Sequence, residues 1–320
     1  MEFVCPSAME ADVPKRGASP SRFLLAAFLS VLAGIAVAGP GPIGPAWKLT
    51  GDRSALGRDG ATEDYFGTRF AVDGDFLIAG IPDDDIAGYY DHGSVYVFER
   101  VAGGWRAYDK LLGPPGSEGT WFGAAVALRG DVALVSATGD AAGGIANRGA
   151  VHVFERGPSG WQLFATLHAD NPTPSAIFGN SVALGDGFAA VGAPLASNPG
   201  GRSGSVYVFR RSAGGWGLDA RLDAPPEASD QSFFGSAIAL SGTTLLAGAP
   251  FDRVGGINAS GSAFAYRLTA AGWVSDGRLV SSAPREDALL GASVAIDGDT
   301  AALGAPEAND LDEAAGSVVV

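Results

Sequence analysis

The densest group of chemically capable side chains is one stretch, Asp83-Asp84-Asp85 followed by Tyr89-Tyr90-Asp91-His92. Carboxylates beside aromatic rings can hold a cation, a basic peptide or a sugar; the alternative is an acidic loop held in water. Glu307, Asp310, Asp312 and Glu313 form a second acidic group with the same two readings. Trp121 stands directly before Phe122 and can either stack on a ligand or fill space in a core. Signals for catalysis are thin. The three histidines, His92, His152 and His168, fall at unrelated places, and no H-E-x-x-H, H-x-x-E-H or G-x-S-x-G pattern occurs. Gly39-Pro40-Gly41-Pro42-Ile43-Gly44 matches G-x-G-x-x-G by letter, but its prolines and the lack of a following helix exclude a nucleotide loop. Asn258-Ala259-Ser260 is a glycosylation sequon on an expected loop, meaningful only in a host that glycosylates, whereas the proline bars Asn171-Pro172-Thr173. No catalytic residue, metal ligand or cofactor is therefore expected.

The chain around these residues has 320 positions, 48 of them Gly and 19 Pro, yet 47% are apolar. Disorder needs low hydrophobicity, so the chain should fold. Frequent turn-formers among small apolar residues predict many short strands. Lys and Arg number 21 against 35 Asp and Glu, a net charge of −14. Such a chain repels phosphate backbones and anionic lipid, so nucleic acid is not an expected partner. Residues 1–38 read as a secretory signal. Lys15, Arg16 and Arg22 precede an apolar run at 23–38 that ends in Ala36-Val37-Ala38, an A-x-A cleavage pattern. The run is shorter than the roughly 20 residues that span a bilayer, so no stable membrane insertion is expected after cleavage. The only cysteine, Cys5, lies ahead of that site, so residues 39–320 have no thiol for a disulfide or a metal. The expected location is secreted, cell-surface or periplasmic.

A repeat sets the architecture. Phe66-Gly67, Phe122-Gly123, Phe178-Gly179, Phe234-Gly235 and Leu290-Gly291 start five segments spaced 56 residues apart. Each holds a small-apolar stretch, a tight polar turn such as Asp73-Gly74-Asp75, and a second apolar stretch. That second stretch closes in Gly-Ala-Pro at 192–194, 248–250 and 304–306. The first copy has Gly80-Ile81-Pro82, and the second departs with Ser136-Ala137-Thr138. A variable loop then leads to a Gly-Ser-Val-Tyr-Val-Phe type strand at 93–98, 149–154, 204–209 and 261–266, and a Gly-Trp turn to a fourth. Val, Tyr and Phe in short runs bounded by Asp-Gly or Gly-Gly read as hairpin strands. His152 falls in the third strand, where the first and third copies carry Tyr, so packing accounts for it. Four-stranded units repeated at this length predict an all-β propeller whose blades bury their faces on one another. A strand at about Trp47 is expected to complete the last blade and close five blades; the alternative is a fragment of a seven-bladed ring.

Phe-Gly followed by Gly-Ala-Pro resembles the FG-GAP repeat of integrin α chains and many exported bacterial proteins. The resemblance covers about residues 60–320. It implies an extracellular recognition propeller without naming a ligand. One departure matters: integrin blades resemble one another in a D-x-D-x-D-G calcium loop, and here that turn has three residues. A calcium ion needs about six to eight oxygens, so calcium is not carried over and the short-turn bacterial subtype is the closer likeness.

In a meandering blade, the loops joining strands two to three and four to one open on one face and the short turns on the other. Variable loops on a rigid scaffold are where recognition sits. The expected function is thus an exported, non-catalytic recognition or adhesion module that binds an extracellular protein or glycan by its long-loop face. Its candidate contacts are Asp83, Asp84, Asp85, Tyr89, Tyr90, Asp91, His92 and Trp121. One competing reading is a carbohydrate-active enzyme with paired carboxylates in a central pocket. The innermost strands carry no acid, which argues against it. The other is a scaffold part of a larger surface protein.

Overall fold

The computed structural model describes residues 65–115, 118–198, 201–308 and 315–320. The signal segment 1–38, the Trp47 strand and the acids Asp310, Asp312 and Glu313 lie outside the described residues. Apart from one 3-10 turn at Ala142–Gly144, every regular element described is a strand.

The first blade is β1 (Arg69–Asp73), β2 (Phe76–Ile81), β3 (Ser94–Val101) and β4 (Gly104–Leu112), paired in that order and antiparallel throughout. The second repeats it with β5 (Phe122–Arg129), β6 (Val132–Ala137), β7 (Ala150–Gly157) and β8 (Gly160–Leu167). The third is β9 (Ser181–Leu184), β10 (Phe188–Ala193), β11 (Ser205–Ser212) and β12 (Gly215–Asp223). The fourth is β13 (Ile238–Ser241), β14 (Thr244–Ala249), β15 (Ser262–Thr269) and β16 (Gly272–Leu279). The fifth shows β17 (Ser293–Asp297), β18 (Thr300–Ala305) and β19 (Ser317–Val319) among the described residues. The five sheets form a five-bladed propeller, with the first strands of consecutive blades side by side.

In four blades the expected polar turn is tighter than its sequence suggests, and the third keeps a wider one, its ladder ending with Leu184 paired to Ala189. Asp73 pairs with Phe76, so only Gly74 and Asp75 lie outside the ladder. Gly74 has φ +55°, the left-handed region that two-residue hairpins need. The third and fourth strands pair with a bulge at one equivalent place, Val97/Phe98, Val153/Phe154, Val208/Phe209 and Ala265/Tyr266. A bulge adds local twist, and its recurrence gives each blade the same bend.

The core sits between blades. Ile78, Val95 and Val97 of the first blade pack with Val135, Ala137 and Phe154 of the second, and equivalent clusters follow between each later pair. The Phe of each Phe-Gly pair lies edge-on to its own third strand. Phe122 meets Phe154 at 6.0 Å between centroids, Phe178 meets Phe209 at 6.2 Å, and Phe234 meets Phe264 at 5.7 Å.

The two glycines of the motif explain each other. A Cβ on Gly80 would lie 2.1 Å from the Gly123 carbonyl oxygen. Gly192 stands in the same relation to Gly235, and Gly248 to Gly291, at 2.0 Å each. The glycine at the Gly-Ala-Pro position of one blade therefore backs onto the Phe-Gly or Leu-Gly glycine that opens the next. In the second blade Ser136 replaces that glycine. Its Oγ accepts the Ala125 amide at 2.7 Å, and the β5–β6 register shifts between Phe122 and Val126.

Candidate functional site

The loops between second and third strands are folded. In the first blade Ile86 and Tyr89 exchange both backbone hydrogen bonds, at 3.2 and 3.0 Å, across Ala87 (φ +55°) and Gly88 (φ +87°). Positive φ at both central residues is the type I′ pattern. Val254 and Ile257 do the same in the fourth blade, across Gly255 and Gly256. Each such loop is laced to the chain entering the next blade. Gly119 N–H donates to Tyr90 O at 2.8 Å, Trp121 N–H to Asp91 O at 3.1 Å and Phe122 N–H to His92 O at 3.0 Å. Asp287, Leu289 and Leu290 repeat the lacing on Asn258, Ala259 and Ser260. Both loop families thus form one continuous surface, opposite the short turns.

The structure divides the expected contact residues. Asp85, Tyr89 and Tyr90 are exposed, Tyr90 by 67%, and Asp83 and Asp91 are half-buried. The Asp85 carboxylate accepts the Asp91 amide at 3.0 Å. Asp84 and His92 differ from the rest, because both are buried, at 2% and 4% exposure. The Asp84 carboxylate accepts the Ser94 hydroxyl and pairs with Lys110 Nζ at 2.9 Å. The His92 ring lies under the loop, 6.2 Å from that of Tyr89. Trp121 is half-buried and lies across Gly139, where a Cβ would come within 2.9 Å of its Cε3. Its ring is used in packing. Glu307 is exposed.

Three repeats on from Asp84, Asp252 is fully buried and more heavily bonded. It accepts the Ser229 amide at 2.9 Å, the Ser229 hydroxyl at 3.1 Å, the Ser262 hydroxyl at 2.5 Å and the Arg278 guanidinium. Ser229 Oγ in turn accepts the Arg253 amide at 3.0 Å. One carboxylate thereby ties the loop entering the fourth blade to the loop within it. The second blade uses other chemistry. His152 is buried beside Thr166 Oγ1 at 3.1 Å, and burial holds its pKa down at about 4. The Asp140 carboxylate opposes that shift and His168 adds to it. His168 is itself lowered, first by burial and then by Arg148.

Sequence reasoning missed the concavity on this face. An open cleft of about 340 Å³ lies where the loop entering the fourth blade meets the β14–β15 loop. Asp230, Gln231, Phe233, Phe251, Arg253 and Asn258 line it. The Phe233 and Phe251 rings stand 4.8 Å apart at 60°. The available signal was an aromatic directly after Gly-Ala-Pro, at Phe251, and another directly before Phe234. Those positions carry Asp83 in the first copy and Leu289 in the last.

A family model described as FG-GAP repeat matches five segments, 54–98, 105–154, 161–209, 216–266 and 273–320. The last four matches begin at Trp105, Trp161, Trp216 and Trp273, so each unit takes the fourth strand of one blade with three strands of the next. A search of curated proteins found no match.

Proposed function

The chain belongs to the FG-GAP repeat family, and on that premise we propose that it is an exported, non-catalytic recognition module. It binds an extracellular protein or glycan through its long-loop face. The observation that carries this reading is the contrast between the two faces. One face holds tight turns such as Gly74-Asp75 and Gly130-Asp131. The other holds folded, mutually laced loops that present Asp85, Tyr89, Tyr90, Phe251 and Arg253 to solvent. Exposed aromatic and charged side chains on an ordered frame lose little entropy when a partner docks. Export is supported by the basic and apolar run ahead of Ala36-Val37-Ala38. A non-catalytic role is supported by first strands whose only acids, Asp73 and Asp297, stand at the short-turn end, and by the internal bonding of Asp84 and Asp252.

The test is capture of surface proteins and glycans by residues 39–320. Asp85→Ala with Tyr89→Ala and Tyr90→Ala should leave the melting temperature near its starting value and weaken capture. Asp75→Ala with Asp299→Ala, on the short-turn face, should change neither. Capture that survives the first set and fails with the second would reverse the assignment of faces.

A further inference from the structure

The cleft beside the fourth blade supports a narrower reading, which rests on the long-loop recognition proposed above. Phe251 is 37% exposed. Its ring and that of Phe233 make an apolar platform inside an otherwise polar loop surface. Around that platform stand groups with unused hydrogen-bonding capacity. Asp230 Oδ1 accepts the Arg202 amide at 3.2 Å and the Gln231 amide at 2.9 Å, while its Oδ2 has no partner among the described residues. The Arg253 guanidinium is exposed and makes no ion pair or hydrogen bond among the described residues, although its backbone amide is fixed by Ser229. The Asn258 amide makes one long contact, 3.4 Å to Glu286.

We infer that this cleft binds one or two rings of a neutral saccharide. A sugar ring has an apolar C–H face and an edge of hydroxyls that both donate and accept. Phe251 matches the face, Asp230 Oδ2 accepts from the edge, and Arg253 and Asn258 donate to it. The volume sits at the small end of ligand pockets, which run from about 300 to 1,000 Å³. Charge selects within the class. Asp230 and Arg253 balance locally, and the whole chain carries −14, which disfavours an acidic sugar. Backbone addition of a peptide strand is disfavoured too, because the amides of Ser229, Gln231, Phe251 and Arg253 are already bonded. Phe251 N–H is bonded to Ser232 O at 3.2 Å, and Val254 and Ile257 bond each other.

The other blades share the frame without the decoration. The residue before each strand-one motif has φ between +50° and +58° at Tyr65, Trp121, Ile177, Phe233 and Leu289. Where Phe233 faces Phe251, Trp121 covers Gly139 instead. Asp85 occupies the place of Arg253 in the first blade, and Ala141 in the second. Among the described residues, only the fourth blade combines an exposed aromatic, a cation without an ion pair and a half-used carboxylate. The Asp252 network beneath holds the two walls in place before any ligand arrives.

The experiment is saturation-transfer NMR on the chain made in a host that does not glycosylate, so that Asn258 is bare. The probes are the methyl glycosides of glucose, galactose, mannose and N-acetylglucosamine, with glucuronate and a lysine-rich peptide alongside. At least one neutral glycoside should receive transfer, strongest at its ring C–H protons. Its affinity should fall about tenfold or more in Phe251→Ala and in Arg253→Ala, and hold in Tyr90→Ala. Arg253→Ala removes a side chain with no partner among the described residues, so it separates lost binding from lost folding, and melting temperatures check both variants. Transfer to no neutral glycoside, to glucuronate or the peptide alone, or transfer that survives both substitutions would overturn the assignment. If it fails while the Tyr89 and Tyr90 variants still weaken capture of a surface protein, the long-loop reading stands without this cleft.

Discussion

Two carboxylates that look alike in sequence differ in what they do. Asp84 and Asp85 are neighbours, yet Asp84 is buried against Ser94 and Lys110 while Asp85 faces water. The sequence held a clue in the recurrence of Asp84, Asp140 and Asp252 at one repeat position. Burial itself depends on a cation brought across the sheet, Lys110 or Arg278, which local pattern does not reveal. Removing one member of a buried pair leaves the other uncompensated, at a cost of roughly 3–5 kcal/mol. Asp252→Ala should lose about that much in denaturant unfolding, and Asp85→Ala less than about 1 kcal/mol; equal losses would refute the distinction. His152 gives a pH signature. It binds its proton near pH 4 in the fold and near 6.5 when free of burial, so the unfolded chain holds more protons between those values. Its contribution is whole above pH 6.5 and is lost as pH falls toward 4, at most about 3 kcal/mol. His152→Phe, the residue type at Phe264 in the fourth blade, should show a smaller drop in melting temperature from pH 7 to pH 4.5 than the unaltered chain. An equal drop would assign the acid sensitivity elsewhere, His168 being the next group beside Asp140 and Arg148.

At the scale of elements, strand order and most strand positions were readable because period-two runs and Gly turns are local signals. The third strands expected at 93–98 and 149–154 form as Ser94–Val101 and Ala150–Gly157. Loop conformation was not readable. Ile177 has φ +55° and Trp121 +50°, where sequence reasoning expects glycine. Trp121 is held there by its own N–H bond to Asp91 O, and the segment at Ile177 by the bond of Ser175 N–H to Ala146 O, contacts between repeats rather than within one. The reason for the paired glycines was hidden in the same way, since Gly248 meets Gly291 only after blades stack. Gly248→Ala should therefore destabilise by the upper part of the roughly 1–3 kcal/mol seen for overpacking. Gly217→Ala, in β12 with nothing near its missing Cβ, should stay within about 0.5 kcal/mol. Equilibrium denaturation of the two variants decides it, and comparable losses would contradict the stacked-glycine account.

For the whole molecule, each blade gains its core from its neighbours, so the scaffold is indifferent to what its loops carry. That separation lets one repeated frame hold Asp85 and Tyr90 in the first blade, a Trp cap in the second and an aromatic cleft in the fourth. The frame was legible from five evenly spaced Phe-Gly or Leu-Gly pairs. The cleft was not, because its walls are the loop entering the fourth blade and the β14–β15 loop, which side-chain bonds such as those of Asp252 and Ser229 bring together and no local pattern reveals. The most direct measurement is hydrogen exchange on the chain with and without a captured partner. Slowed exchange confined to 82–93, 113–121, 224–237 and 250–261 is the predicted result. Slowed exchange at Gly74-Asp75, Gly130-Asp131 and the other short turns, with those loops unchanged, would contradict it.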